Sequence, residues 1–370
     1  MLNWGRAIAL VAVLSAGCSA APDAERSATP REAERPVTRL VLVERETGAA
    51  AVLDVADAAE TGLGQVGLVN AVSGDGRYAY LHEEAGLTIL DGGAWTYDHG
   101  DHSHYYEVSP AVVGRIDGRV AAVHGAGAST VVLRGDGSVE SLDRDAFPRE
   151  DVSGAAVAGA DNARAAVAFG NDVLTVTGPG LVRHGAGQAT VLGHCPEVTG
   201  AAVLRRAVVL GCRDGALRIS RRGGALVADG IPFGVSRPSI PLGPFGYRRT
   251  GNSVTAVAGD EVWLLNGRRW TSMRLPGVVA VNTADATTVL AVTRDGALHA
   301  LDMAAGVSVG RLELLAAPVG TPVIEVGAGR AYVNDPAARA VHEIDYANGL
   351  RVVRTHRTNV VPDFLAAAGW

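Results

Sequence analysis

Three of the ten histidines in this chain lie within six residues of one another. They are His99, His102 and His104, in the segment YDHGDHSHYY that covers residues 97–106. Neutral imidazole is the commonest nitrogen ligand for zinc, and Zn²⁺ favours four-coordinate sites of nitrogen, oxygen or sulfur. Such crowding in a histidine-poor chain indicates a site for zinc or a similar metal, with copper as an alternative. The competing interpretation is a solvated polar loop between strands.

The spacing of the three histidines fits metal coordination. If residues 102–104 are extended, the imidazoles at both ends leave the same face of a strand. His99 has the opposite parity, but Gly100 allows the chain to turn so that His99 converges on the other two. Asp98 or Asp101 then either completes the coordination sphere or orients a ligating ring from behind.

The elements that must position this cluster are short strands. From residue 37 onward, apolar and β-branched runs alternate with Gly/Asp turns such as Gly74-Asp75-Gly76 and Gly135-Asp136-Gly137. An Asx-Gly pair between alternating apolar residues is a strong hairpin signal. The 47 Gly and 16 Pro also argue against long helices. The chain is therefore predicted to be all-β.

The strands repeat at roughly 40–45 residues with about four strands per unit, which is typical of propeller blades. One small sheet cannot bury both of its faces, whereas blades packed face to face in a ring can. We predict a seven-bladed β-propeller, within a range of six to eight blades, over residues 37–370. Two leading strands, 38–43 and 50–55, are expected to pair with the last unit and close the ring. An array of β-sandwiches is the alternative fold.

Composition excludes several functional classes. All 33 basic residues are Arg, so the chain has no Lys for a Schiff base, for pyridoxal phosphate or for a Walker A loop. With 39 acidic residues the net charge is −6, which disfavours nucleic-acid binding. Neither a catalytic triad, a carboxylate pair nor a cofactor loop stands out, so we do not expect an enzyme. We also expect a monomer.

The N-terminus has the pattern of a secretory signal. Arg6 precedes the apolar run 7–16, which is too short to span a bilayer as a mature helix. The run ends in LSAGC, which resembles a bacterial lipobox, so residues 1–17 are predicted to be a lipoprotein-type signal peptide and Cys18 the lipidation site. An ordinary secretory signal is the alternative. Residues 18–36 are polar and are predicted to be a disordered tether. The mature protein is then expected outside the cell membrane, held by a lipid anchor.

Two further cysteines remain, Cys195 and Cys212. Outside the cytosol two thiols usually pair, and a disulfide here would add roughly 3 kcal/mol of stability in the chain-entropy model. Two free buried thiols, or a two-cysteine zinc site, are the alternatives.

Two stretches of the chain resemble a known family. The stretch GGAWTYDHGDHSHYY, residues 92–106, resembles a signature of the AztD-type zinc metallochaperones. The stretch that includes HCP at 194–196 and GCRDG at 211–215 is similar to a later part of the same family. The resemblance implies an extracytoplasmic β-propeller that binds Zn²⁺ and passes it to the solute-binding protein of a zinc ABC importer. It implies metal-site residues at His99, His102, His104, Asp98, Asp101 and His124.

The chain also departs from the family pattern in two places. Thr199 stands where the family has a further histidine, and residues 19–36 contain no histidine, whereas some members carry a His-rich N-terminal arm assigned to metal transfer. The absent arm motivates an alternative function, a lipid-anchored β-propeller that serves as an interaction or scaffold lipoprotein without metal transfer.

Overall fold

The structure is a computed structural model that describes residues 29–185, 188–316 and 322–370. The predicted signal peptide, the predicted lipidation site Cys18 and the first part of the predicted tether lie outside those residues. Strands are the dominant secondary structure of the described chain and its described helix content is one short 3-10 helix, which confirms the all-β prediction. Within it, no helix has the length and apolar character needed to cross a membrane.

The described strands are short and are numbered here in chain order. The first eighteen are β1 (Arg31–Ala33), β2 (Arg39–Val43), β3 (Ala49–Asp54), β4 (Glu60–Gln65), β5 (Ala71–Gly74), β6 (Tyr78–His82), β7 (Gly86–Asp91), β8 (Ala94–Asp98), β9 (Ser103–Glu107), β10 (Ala111–Asp117), β11 (Val120–Ala126), β12 (Ser129–Arg134), β13 (Val139–Asp143), β14 (Gly154–Ala156), β15 (Ala163–Phe169), β16 (Asp172–Thr177), β17 (Gly180–His184) and β18 (Thr190–His194). The remainder are β19 (Gly200–Val203), β20 (Ala207–Cys212), β21 (Gly215–Arg222), β22 (Ala225–Pro232), β23 (Ser253–Ala258), β24 (Glu261–Asn266), β25 (Arg269–Arg274), β26 (Val278–Thr283), β27 (Thr288–Thr293), β28 (Ala297–Asp302), β29 (Val307–Glu313), β30 (Ile324–Val326), β31 (Arg330–Asp335), β32 (Ala340–Asp345), β33 (Arg351–Arg357) and β34 (Phe364–Ala368). A 3-10 helix, Arg144–Arg149, follows β13.

Eight antiparallel sheets of the described chain form the blades of a closed propeller. In ring order the blades are β34-β2-β3-β4, β5-β6-β7-β10, β11 to β14, β15 to β18, β19 to β22, β23 to β25, β26 to β29 and β30 to β33. Eight hydrophobic clusters each join one blade to the next, including the eighth blade to the first. The propeller fold is therefore as predicted.

Both faces of a blade are buried, which explains the nearly continuous apolar runs in the sequence. In β2, Leu40 and Leu42 pack against the eighth blade. Val41 and Val43, which point to the opposite face, pack against the second blade. Successive side chains of a strand alternate between faces, so an apolar run supplies two blade interfaces at once.

The structure has eight blades, which lies within the predicted range of six to eight but is one more than the seven units of the repeat pattern, and the leading strands account for the difference. We expected these strands to pair with the last unit. They do close the ring, because β2 pairs with β34 on one side and with β3 on the other, but β34 is separate from the blade β30 to β33, so the two chain ends build a blade of their own. The strand β34 reads FLAAA and carries no turn signal, so the repeat pattern does not reveal it as part of a blade.

A hairpin outside the ring carries the histidine cluster. Strands β8 and β9 are inserted into the second blade, between its third strand β7 and its outermost strand β10. They form a separate sheet with β1, which pairs antiparallel with β9. The prediction of a disordered tether through residue 36 is therefore wrong for Arg31–Ala33. Backbone hydrogen bonds to a free strand edge need no bulky apolar side chain, and composition alone does not reveal such pairing.

The predicted disulfide is present. Cys195, after β18 in the fourth blade, is bonded to Cys212 at the end of β20 in the fifth, with their Cα atoms 5.2 Å apart. Both residues are buried in the hydrophobic cluster between those two blades. The bond closes a loop across a blade boundary.

A buried ion pair supports the inner end of the second blade. Asp75, after β5, pairs with Arg144 and accepts a hydrogen bond from the Tyr80 hydroxyl at 2.5 Å. Burial alone would raise the pKa of Asp75, but the charges of Arg144 and Arg249 outweigh burial and lower this pKa to about 2. The next residue, Gly76, accepts backbone hydrogen bonds from Gly369 and from the C-terminal Trp370. The ion pair therefore helps to hold the chain end on which the hairpin rests.

We expect the disulfide to contribute about 3 kcal/mol to the free energy of unfolding, because it restricts a short loop of the unfolded chain. Urea titration of the double variant Cys195→Ala/Cys212→Ala should show that loss. Wild type under reducing conditions should approach the variant, and the variant itself should not respond to the reductant. An unchanged midpoint in the variant would contradict the prediction.

The Asp75 carboxyl should make stability pH-dependent in acid. Its pKa is about 2 in the folded chain and about 3.8 when unperturbed. A lowered folded pKa stabilises the fold above the unfolded pKa, and this stabilisation is lost as pH falls through the folded pKa. Between about pH 4.5 and pH 2 the group should cost wild type roughly 2 kcal/mol of unfolding free energy. Asp75→Asn should be less stable at neutral pH and should lack this part of the slope, whereas exposed Asp161→Asn should keep it. Equal slopes for wild type and Asp75→Asn would refute the assignment.

Candidate metal centre

The base of the hairpin is fixed to the first blade. The Arg39 guanidinium donates hydrogen bonds to the carbonyl oxygens of Gly93 at 2.7 Å and Val108 at 2.8 Å, which flank the two hairpin strands. The same guanidinium pairs with Glu107 at the end of β9. The Thr96 hydroxyl donates to the Gly369 carbonyl at 2.7 Å. These bonds hold an exposed hairpin against the rigid ring.

Aromatic stacking stiffens the hairpin below the cluster. The ring of Trp95 on β8 stacks on Tyr106 of β9, with centroids 5.4 Å apart. The Arg77 guanidinium lies over Trp95 at 3.7 Å and is itself paired with Asp91 at 2.7 Å. A guanidinium over an indole face is a favourable cation–π contact. The hairpin strands therefore do not depend on their few backbone bonds alone.

The turn of the hairpin brings the histidines to one place. Asp98 of β8 pairs with Ser103 of β9, so residues 99–102 form the turn. Gly100 has a φ of 101°, a conformation that favours glycine, and its N–H donates to the Asp98 carboxylate at 2.7 Å. The His99 N–H donates to the His102 carbonyl at 2.9 Å. This is the turn at Gly100 that convergence of His99 requires.

The three imidazoles His99, His102 and His104 form one cluster. One ring nitrogen from each lies within 4.8 Å of the others. The ring centroids are separated by 4.8 Å between His99 and His102, 5.2 Å between His99 and His104, and 5.0 Å between His102 and His104. His99 and His102 are exposed and His104 is half-buried, so the cluster is open to solvent.

Carboxylates lie behind two of the three rings. Nδ1 of His102 is hydrogen-bonded to Asp101 at 2.9 Å, and Nδ1 of His104 is hydrogen-bonded to Glu32 of β1 at 2.5 Å. When a carboxylate accepts a hydrogen bond from Nδ1–H, Nε2 keeps a free lone pair and becomes more basic. This is the usual arrangement behind a metal-bound histidine. Asp101 therefore lies behind the His102 ring, and its role at a metal stays a prediction.

Sequence reasoning missed Glu32. It lies in the segment interpreted as a tether, and it reaches His104 only because β1 pairs with β9 about seventy residues further along the chain. No local motif or spacing signals such a contact.

Asp98 anchors the hairpin tip. Its carboxylate pairs with Arg205 at 2.5 Å, and Arg205 lies in the turn between β19 and β20 of the fifth blade. The hairpin therefore reaches from the second blade to a blade three positions further around the ring. Asp98 is engaged in this ion pair and in the turn.

The structure does not bring His124 to the three histidines. His124 lies on β11 of the third blade, in a groove that His82 also lines. Burial first, and then the charges of Arg249 and His82, lower the pKa of His124 to about 4. It is neutral at physiological pH, but it stands apart from the cluster.

The donor set of the cluster fits a borderline transition metal. Three neutral imidazoles suit Zn²⁺ and Cu²⁺, whereas Mg²⁺ and Ca²⁺ prefer oxygen ligands. Zn–N bonds of about 2.0–2.1 Å require the ligand atoms to lie closer together than 4.8 Å, so metal binding would draw the rings inward. The site then leaves a fourth position open to solvent.

The fold and the site together define a β-propeller with an inserted histidine hairpin. No protein-family model and no curated protein match the sequence. Among solved structures the chain is similar to AztD from Citrobacter koseri, at 17% identity and a TM-score of 0.75, over 90% of this chain and 98% of that one. It is similar to apo AztD from the same organism at 16% identity, a TM-score of 0.76 and the same coverage.

A further similar structure is dihydro-heme d1 dehydrogenase NirN in complex with DHE. It is 16% identical, with a TM-score of 0.57, over 88% of this chain and 74% of that one. At these identities the likeness shows the fold. The resemblance to AztD-type proteins that the sequence motifs indicate is thus confirmed at the level of the fold.

Proposed function

We propose that this protein is an extracytoplasmic zinc-binding metallochaperone that delivers Zn²⁺ to the solute-binding protein of a zinc ABC importer. One observation carries the proposal: His99, His102 and His104 converge on a solvent-open hairpin, and carboxylates lie behind two of the rings. The fold likeness to AztD supports it, because the histidine motif and the fold point to the same family.

The solvent-exposed position of the histidine cluster suits a zinc ion that is passed to another protein rather than one that stabilises the fold. Structural zinc sites are closed by four protein ligands, whereas this cluster supplies three from the protein. Zn²⁺ has no geometric preference from its d electrons and accepts a fifth ligand readily. A ligand of the acceptor therefore can enter at the open side while the histidines still hold the ion.

The carboxylates nearest the cluster favour binding over catalysis. Asp101 and Glu32 each accept a hydrogen bond from Nδ1 of a histidine, which is the arrangement that orients a metal ligand. Because the similar fold of NirN belongs to a dehydrogenase, the fold alone does not decide this question. We propose a binding function on the geometry of the hairpin.

The compartment and the anchor are part of the proposal. The disulfide between Cys195 and Cys212 favours an oxidising environment. With the lipobox-like LSAGC, it supports export, lipidation of Cys18 and attachment to the outer face of the cell membrane. A lipid-held donor would remain near a membrane-bound importer.

Replacement of any one of the three histidines by Ala should weaken zinc binding by more than about 100-fold. Loss of a residue that only hydrogen-bonds to a metal ligand typically weakens binding 10–100-fold, and loss of the ligand itself should cost more. Competition with a chromophoric zinc chelator near neutral pH measures the affinity. The matched control is His124→Ala, which lies outside the cluster and should bind like wild type. Unchanged affinity in the triple variant would refute the site.

Zinc should pass to the solute-binding protein faster than it dissociates into solvent, because the open side admits an acceptor ligand before release. Metal-loaded protein is mixed with the apo acceptor in stopped flow, and the rate is compared with release to excess small-molecule chelator. A rate that rises with acceptor concentration above the chelator limit is expected. A transfer rate equal to the rate of free dissociation would refute delivery. The remaining function would be a lipid-anchored scaffold, which the absence of histidine from residues 19–36 favours.

A further inference from the structure

Strand β1 is held to the hairpin by few contacts. It pairs with β9 over Arg31, Glu32 and Ala33. Besides these backbone bonds, the described contacts of its side chains are the ion pair of Arg31 with Glu107 and the bond of Glu32 to His104. The side chains of Arg31 and Glu32 are 79% and 56% exposed. Such a short exposed strand lies at the low-stability end of a structure and opens locally.

One of these contacts reaches the metal site directly. Glu32 hydrogen-bonds Nδ1 of His104, and on its other side the His104 ring faces His99 and His102. A carboxylate at Nδ1 selects the tautomer that keeps Nε2 available, and it limits rotation of the ring. Without β1, His104 would lose that restraint.

We propose, on the basis of the zinc site above, that Glu32 is a positioning residue for His104 and that β1 is a strap coupled to zinc occupancy. Binding free energies are reciprocal. If Glu32 tightens zinc binding by a given factor, bound zinc tightens the pairing of β1 with β9 by the same factor. Release of β1 would loosen the site without loss of a ligand.

The first test measures zinc affinity in full-chain variants. Glu32→Gln keeps size and polarity but removes the carboxylate, and we expect a 10–100-fold loss of affinity. Glu32→Asp retains a carboxylate and should recover part of the lost zinc affinity. The matched control is Glu34→Gln, at an exposed position just past β1. Its zinc affinity should lie within about twofold of that of wild type.

The second test measures the tautomer of the His104 ring and the opening of β1 rather than zinc affinity. Nitrogen NMR of His104 in the metal-free chain should show the Nδ1–H tautomer in wild type and a mixture in Glu32→Gln. Hydrogen exchange of residues 31–33 should slow on zinc addition in wild type, by a factor that matches the affinity loss, and should change little in Glu32→Gln.

The outcomes separate the two proposals. If wild type binds no zinc, the proposed function fails and the strap fails with it. If zinc binds through the three histidines, but Glu32→Gln matches Glu34→Gln in affinity and tautomer, the strap alone is overturned. Equal exchange of β1 with and without zinc also overturns it.

Discussion

Each blade of this chain has two apolar faces, and only a closed ring buries both of them. In β2 the leucines pack toward the eighth blade and the valines toward the second, so neither neighbour can be removed without exposing a core. Closure depends on β34, which brings the end of the chain to the first blade. The pairing of β2 with β34 is therefore the contact on which the ring and everything attached to it depend.

A rigid ring allows the candidate metal-binding residues to lie elsewhere. The blade interfaces are filled with apolar side chains, and a cluster of imidazoles with a solvent-open face has no place in them. The imidazoles lie instead on the hairpin β8–β9, which is inserted into the second blade but forms a sheet of its own. Hydrogen bonds of Arg39 and Thr96 hold this hairpin against the ring. The ring supplies stability, and the hairpin presents three solvent-accessible imidazoles in a defined position.

Charged contacts connect the hairpin to distant parts of the chain. Asp98 joins its tip to Arg205 of the fifth blade, and Glu32 joins His104 to the N-terminal strand. A site held at its base, at its tip and along one edge can be stable and still open at one of those contacts. The edge contact is made by a three-residue strand whose Arg31 and Glu32 side chains are largely exposed, and such short exposed strands are the parts of a structure that open most easily.

The sequence by itself determined the all-β class, the propeller repeat, the cysteine pair and the three histidines of the candidate site, because each rests on local signals. Turn residues between apolar runs mark hairpins, and Gly100 between His99 and His102 marks the turn that joins them. Tertiary structure alone decided the rest. The eighth blade, the bond of Glu32 to His104 and the separation of His124 from the cluster all depend on which strands pair across long distances in the chain. Pairing between distant strands is made by backbone hydrogen bonds, which nearly all residue types can form, so no local signal in the sequence marks it.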